Sequence, residues 1–350
     1  MKKLIALILS AMAISSSFAE GIVIQKQGQF PVGGTTIQRE GTFNPDVFVG
    51  WAEQDQSGQS YRCDHAFARY QIPADAKSLP LVFVHGYGGD GVCWETTPDD
   101  RPGFATLLLA KGYPTYVLDL PGRGYASRTS ATTTVTPVAD EMFWFDIWRM
   151  GIWPEWNKGS QFPQDSLSVS NFFRQMVPDL SNHQLDVPAL DAMAKKVGDQ
   201  VLVTHSAGGF PGWMAAMRNE EVKGVVSLEP GGFVFPEKEI PAPLPGLTGG
   251  LKGVGVPMEQ FMELTKKPIA IYFGDYIPES NATTLGGSNW EVRLKMAREF
   301  VSAINRHGGD ATLVLLPEIG IYGNSHFLMQ ELNNDVIANH VAQWIDAKFK

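Results

Sequence analysis

The chain is poor in cysteine: Cys63 and Cys93 are the only two in 350 residues. That is too few for a disulfide scaffold or a cysteine-based zinc site. It is also short of positive charge, with 28 Lys and Arg against 37 Asp and Glu, a formal net charge of −9. Phosphate contacts need clustered Lys and Arg, so the balance disfavours a nucleic-acid binder. The sequence has no H-E-x-x-H, no paired C-x-x-C and no phosphate-binding loop. No metal and no organic cofactor is therefore expected. Repeats, low-complexity tracts and long linkers are missing as well. What remains, 44% hydrophobic and 19% charged, is ordinary globular composition.

The N-terminus carries the paired Lys2-Lys3, the apolar run Leu4–Ile14 and then Ser15-Ser16-Ser17-Phe18-Ala19. This is the three-part layout of a secretory signal peptide cleaved after Ala19, and its short Lys-Lys start looks bacterial. Eleven apolar residues fall short of the roughly 20 that span a bilayer. The reading is residues 1–19 as signal and 20–350 as one domain, periplasmic or secreted, with no integral span after cleavage. Export would take Cys63 and Cys93 into an oxidising compartment, where a disulfide between them is the expectation. The oligomeric state stays open, a homodimer among the alternatives.

Along the chain, apolar β-rich runs alternate with helical ones. Strands are expected at 81–85, 113–118, 200–204, 222–228, 268–273 and 311–316. Helices are expected at 103–111, 188–197, 209–218, 290–306 and 326–349. Runs buried on both faces, separated by helices, mean an α/β fold: a mostly parallel sheet with helices on both faces. Two strands near Val47–Ala52 and Ala66–Ile72 are expected to extend it antiparallel. Two stretches, about 125–187 and 230–267, break the alternation and read as cap insertions over the carboxyl end of the sheet. The first holds Phe143, Trp144, Phe145, Trp148, Trp153 and Trp156 within fourteen residues. Trp144, Trp148 and Trp153 are the candidate substrate contacts; a packing seam between cap and core is the alternative.

The chemistry centres on Gln200–Gly209, QVLVTHSAGG. A buried strand enters a sharp turn with Ser206 at its apex and leaves in a helix that begins with small residues. This is the nucleophile-elbow pattern G-x-S-x-G, with Thr204 in place of the first glycine. A serine hydroxyl needs a base to take its proton. Of the seven histidines, His326, after the last strand, stands where the base belongs in the order serine, acid, histidine. Two carboxylates end strands between them, Glu229 and Asp275, and either could orient the imidazole. The oxyanion hole needs two N–H groups: Ala207, after the serine, and Tyr87 in the glycine-rich turn His85–Gly89.

These segments resemble the α/β-hydrolase superfamily, through HGYGG at 85–89, DLPGRG at 119–124, THSAGG at 204–209 and the final histidine. More narrowly, the chain is similar to secreted bacterial serine esterases of the esterase 713 type. The similarity is carried by Trp94–Asp99 with Arg101, Trp148–Gly151, HSAGGFPGW at 205–213, Leu228–Pro230 and Gly323–His326. It departs after His85-Gly86, where that family can carry adjacent cysteines and this chain has Tyr87-Gly88. The resemblance implies Ser206 as nucleophile, His326 as base and Glu229, rather than Asp275, as the acid. The expected activity is hydrolysis of a small-molecule carboxylic ester through an acyl-enzyme. Lipases, polyesterases, thioesterases, amidases and acyltransferases share such a triad and are the alternatives within enzymes. A non-catalytic binding protein on the same fold is the alternative outside them.

Overall fold

The computed structural model describes residues 21–51, 54–131, 134–180 and 183–349. The expected signal peptide lies outside them. An eight-stranded sheet organises the chain. Its strands are β1 (Ile24–Gln38), β2 (Ser60–Pro73), β3 (Leu81–Val84), β4 (Thr115–Asp119), β5 (Gln200–His205), β6 (Val222–Leu228), β7 (Ile269–Phe273) and β8 (Ala311–Leu315). Their spatial order is β1-β2-β4-β3-β5-β6-β7-β8. The β1–β2 and β2–β4 pairs are antiparallel, and every pair from β4 to β8 is parallel.

Side-chain alternation along the strands divides the core in two. Val82, Val84, Leu202, Val225, Ile269, Ile271 and Phe273 face one layer. It is built from α5 (Asp186–Val197), α6 (Gly209–Arg218), α7 (Met258–Thr265) and α8 (Leu285–Arg306). Leu81, Phe83, Val201, Val203, Val226, Ala270 and Tyr272 face the other. That layer holds α1 (Val92–Glu95), α2 (Phe104–Leu109) and α9 (Asn334–Lys348). Residues that are apolar on both faces of a strand are what make β3 and β5–β7 read as unbroken apolar runs.

The 125–187 stretch forms α3 (Glu141–Ile147), a short hairpin pairing Gly151–Ile152 with Glu155–Trp156, and α4 (Ser166–Arg174). An aromatic chain joins it to the body: Trp156 stacks on Phe162, and Phe172 meets Phe162, Trp148 and Phe327 edge-on. The 230–267 stretch behaves differently. Phe233, Val234, Phe235 and α7 residues Phe261 and Leu264 are buried in the layer beside α6 and α8. Only Gly231, Gly232 and Thr248 of it reach the cavity described below.

Three expectations change. No strand forms at 47–51; Val47, Phe48, Val49 and Trp51 are exposed, and the edge strand is instead β1. (Ala52 lies outside the described residues.) The last helix begins at Asn334, so His326 stands in a buried loop eight residues ahead of it rather than at its start. Cys63 and Cys93 are both free and buried, with no disulfide. The strand geometry explains why. Arg69 of β2 reaches Glu95 at the end of α1, but Cys63 lies six residues earlier on the same strand, about 20 Å away. A disulfide needs Cα atoms within about 7 Å.

Candidate active site

Ser206 follows β5 directly and opens a short turn, Ser206–Gly208, that leads into α6. Its φ is +53°, the left-handed region that a residue with a side chain adopts at a cost of about 1–3 kcal/mol. The turn is held from outside: the Ser206 carbonyl accepts from Gly231 N–H at 2.8 Å. Gly86 must be glycine, since a Cβ there would sit 2.7 Å from the Ser206 Cβ. Thr204 fits in place of the usual glycine because α6 offers Gly212 opposite it; a Cβ on Gly212 would meet the Thr204 Cγ2 at 2.8 Å. The Thr204 hydroxyl is satisfied by Ser227 Oγ at 2.8 Å.

Glu229, at the end of β6, is completely buried and also has positive φ, +48°. Its Oε2 accepts from His326 Nδ1 at 2.8 Å. Its Oε1 accepts from Gly274 N–H at 2.7 Å and from Arg149 Nη2 at 2.5 Å. Asp275 does something else. Its Oδ2 accepts from Gly323 N–H at 3.0 Å and its Oδ1 from Tyr276 N–H at 2.7 Å. Among the described residues no hydrogen bond joins Asp275 to His326. It pins the loop that carries the histidine.

His326 is buried, its backbone N–H bonded to the Trp148 carbonyl at 3.1 Å and its ring packed on Trp290 and His205. With Nδ1–H donated to Glu229, the other nitrogen, Nε2, keeps its lone pair. Burial, with the nearby charges of Arg149 and Arg293, holds the imidazole well below its ordinary value of 6.5. The ring is therefore neutral at pH 7 and able to take a proton.

Ser206, Ala207, His326 and Tyr87 line one cavity of about 710 Å³. Trp144, Trp148, Ile147, Phe143 and Met214 supply much of its apolar wall. The volume suits a drug-sized ligand. The turn before Tyr87 is braced by His85, whose Nε2 accepts from Leu120 N–H at 3.1 Å and whose Nδ1 donates to the Gly86 carbonyl at 2.9 Å. Trp153 is not part of this wall. It packs on Phe145 at 5.5 Å and faces a separate cavity with Trp156 and Phe173.

Two buried side chains escaped the reading of the sequence as site residues. Arg149 has positive φ, +58°, and ties Glu229 to the Asp275 carbonyl, which its Nε reaches at 3.0 Å. Glu331 accepts from Ser325 N–H and Asn324 Nδ2, both at 2.6 Å, and so fixes the loop before His326. Burial, with the charge of Glu229 adding, pushes its carboxyl up to about 7. Neither carries a recognisable motif: the partners of Arg149 lie 80 and 126 residues away, and Glu331 reaches back six and seven residues to Ser325 and Asn324 across an irregular loop. The Trp148–Gly151 segment of the family resemblance was the one available pointer to Arg149.

Comparison with known proteins agrees with this architecture. A family model described as the alpha/beta hydrolase family matches residues 81–313. A solved bacterial esterase is 31% identical, covering 94% of this chain and 98% of its own, with a TM-score of 0.74. A fungal protein (Fungal sp. strain ATCC 74256) described as the probable secreted lipase phiG is 29% identical over 326 residues, 82% of this chain and 87% of that one. The resemblance to bacterial esterases drawn from the motifs is borne out. With its mostly parallel sheet and a family match spanning most of its length, the chain belongs to the alpha/beta hydrolase family.

Proposed function

We propose that the protein is an exported serine hydrolase that cleaves carboxylic esters through an acyl-enzyme. Ser206 Oγ attacks the ester carbonyl while His326 Nε2 takes its proton. Glu229 holds the imidazole by Nδ1 and offsets the positive charge it gains. The backbone N–H groups of Ala207 and Tyr87 bind the oxyanion. His326 then returns the proton to the leaving alcohol. Water, activated by the same histidine, releases the acid and restores Ser206.

The observation that carries this reading is the buried Glu229–His326 hydrogen bond beside a cavity whose wall also holds Ser206. Export is supported by the Lys2–Ala19 pattern and by the fungal relative's description as a secreted lipase. Among the described residues no helix is long and apolar enough to cross a membrane.

The test is hydrolysis of p-nitrophenyl esters from acetate to palmitate by the native chain and three variants. Ser206→Ala should lose roughly 10⁶-fold in kcat. Glu229→Gln should lose about 10⁴-fold. Asp275→Asn should lose no more than about 100-fold, since its carboxylate only pins the loop of His326. Full activity in Ser206→Ala would sink the nucleophile. A loss in Asp275→Asn as deep as in Glu229→Gln would sink the choice of acid.

A further inference from the structure

The cavity wall contains one cation without a counter-charge. Arg293 of α8 lines it, partly buried, and forms no ion pair among the described residues. Its Nη1 donates to the Asn289 carbonyl at 2.7 Å and to Asn289 Oδ1 at 2.6 Å. Its Nε and Nη2 have no hydrogen-bond partner among the described residues. The other charges on this wall are balanced. Asp186 is paired with Arg123 and His183, and His183 is itself raised to about 9 by Asp179 and Asp186. Arg149, nearby, is taken up by Glu229.

The placement of Arg293 is built rather than incidental. Thr248 Oγ1 donates to Asn289 Oδ1 at 3.1 Å, and Leu247 N–H donates to Ser288 Oγ at 2.9 Å, so the 247–248 loop braces the Asn289–Arg293 turn of α8. The guanidinium stands over the Trp290 ring, 5.4 Å from its centroid, and the same ring packs against His326 at 4.1 Å. The cation is thus one aromatic ring removed from the base. Burial alone lowers Arg293 to about 10, which is the cost of removing a guanidinium from water without an acid beside it.

We propose that this site takes esters bearing a free carboxylate, such as monoesters of dicarboxylic acids, with Arg293 binding the carboxylate. The inference rests on the esterase reading and specifies its substrate class. The unused Nε–H and Nη2–H form one edge of the guanidinium, and that edge matches a carboxylate bidentately. An apolar wall keeps water from competing for it. The net charge of −9 works against anions at long range, so the selectivity must be local.

The experiment compares matched substrates in one enzyme, so the amount of folded protein cancels. On the acyl side the pair is mono-p-nitrophenyl adipate and p-nitrophenyl heptanoate. On the alcohol side it is 6-acetoxyhexanoate and hexyl acetate, followed by pH-stat. The native enzyme should favour the anionic member of at least one pair by about tenfold or more in kcat/KM. Arg293→Gln should abolish that ratio and Arg293→Lys should keep part of it. Preference for the neutral member in both pairs, or a ratio unmoved by Arg293→Gln, overturns the proposal. Calorimetry on Ser206→Ala separates this from the esterase reading. Monoethyl adipate should bind there more tightly than the neutral ethyl heptanoate, and adding Arg293→Gln should erase the difference. Turnover of none of the four esters with monoethyl adipate still bound through Arg293 would sink the esterase reading alone. Equal binding of monoethyl adipate and ethyl heptanoate would sink the carboxylate site.

Discussion

The pair Arg149–Glu229 is the sharpest test of how the site is held. Both side chains are inaccessible, 1% and 0% exposed, and their charged atoms are 2.5 Å apart. Arg149→Met keeps the stem and removes the charge, leaving Glu229 without its cation. Breaking a buried pair from one side costs about 3–5 kcal/mol. Loss of the bond from Arg149 Nε to the Asp275 carbonyl adds about 1 kcal/mol. In a domain of this size that lowers the melting temperature by roughly 6–9 °C. Thermal and urea unfolding of the native chain, Arg149→Met, Glu229→Gln and the double variant measure it. If the damage is the stranded charge, neutralising Glu229 removes the cause, and the double variant should be at least as stable as Arg149→Met to within about 1 kcal/mol. A double variant that shows the full sum of both single losses refutes the reasoning, because then the two residues act independently.

Acid should destabilise the protein well before the ordinary carboxylates titrate. His85, His205 and His326 are each held below 6.5, burial being the main cause. The unfolded chain therefore binds more protons than the native one below pH 6.5, and stability falls as pH falls. Glu331, raised to about 7, works the other way over the same range. His65 and His340 are lowered by burial as well, so the lowered imidazoles outnumber the raised carboxyls of Glu331 and Asp90 and the net effect is a loss of stability as the pH falls; urea midpoints at pH 7, 6 and 5 that stay level contradict this. Gly212→Ala should destabilise by about 1–3 kcal/mol despite alanine's better helix propensity, since its Cβ strikes the Thr204 methyl. In a Thr204→Ser background the methyl is gone and the hydroxyl kept, so the same alanine should be neutral or stabilising by calorimetry. Protein isolated without reductant should yield two titratable thiols on denaturation, and reductant should leave its melting temperature unchanged.

What the sequence made legible follows from burial. Strands β3 and β5–β7 are covered on both faces, so their residues are apolar throughout and their bounds agree with the expected ones to within a residue or two. β1 has a single buried residue, Val32, and its polar, glycine-containing run carries no such mark. The apolar cluster at 47–51 took its place in the reading because apolar composition alone does not say whether a segment has a sheet edge to join. The residues singled out as Ser206, Glu229 and His326 stand at strand ends and a loop that the α/β order makes visible. Arg149 acts through long-range pairing, and Glu331 through contacts with Asn324 and Ser325 across an irregular loop, for which one sequence holds no periodic pattern. Trp153 shares its composition with Trp144 and Trp148 but falls in the hairpin that turns away from the cavity. Only the three-dimensional path of the chain separates them.

The segment from Asp146 to Arg149 has a consequence for remodelling the enzyme. Asp146 receives the N–H of Gly286, Ile147 receives the indole N–H of Trp290, Trp148 receives the N–H of His326, and Arg149 grips Glu229. Four consecutive residues of the cover are thus bolted to the machinery beneath. Such a cover cannot swing away as a hinged door, nor be exchanged for a relative's, without breaking the bonds that hold Glu229 and His326 in place. Tailoring the cavity to new ligands belongs at Tyr87, Phe143 and Trp144, whose side chains line it, while the fastening underneath stays intact.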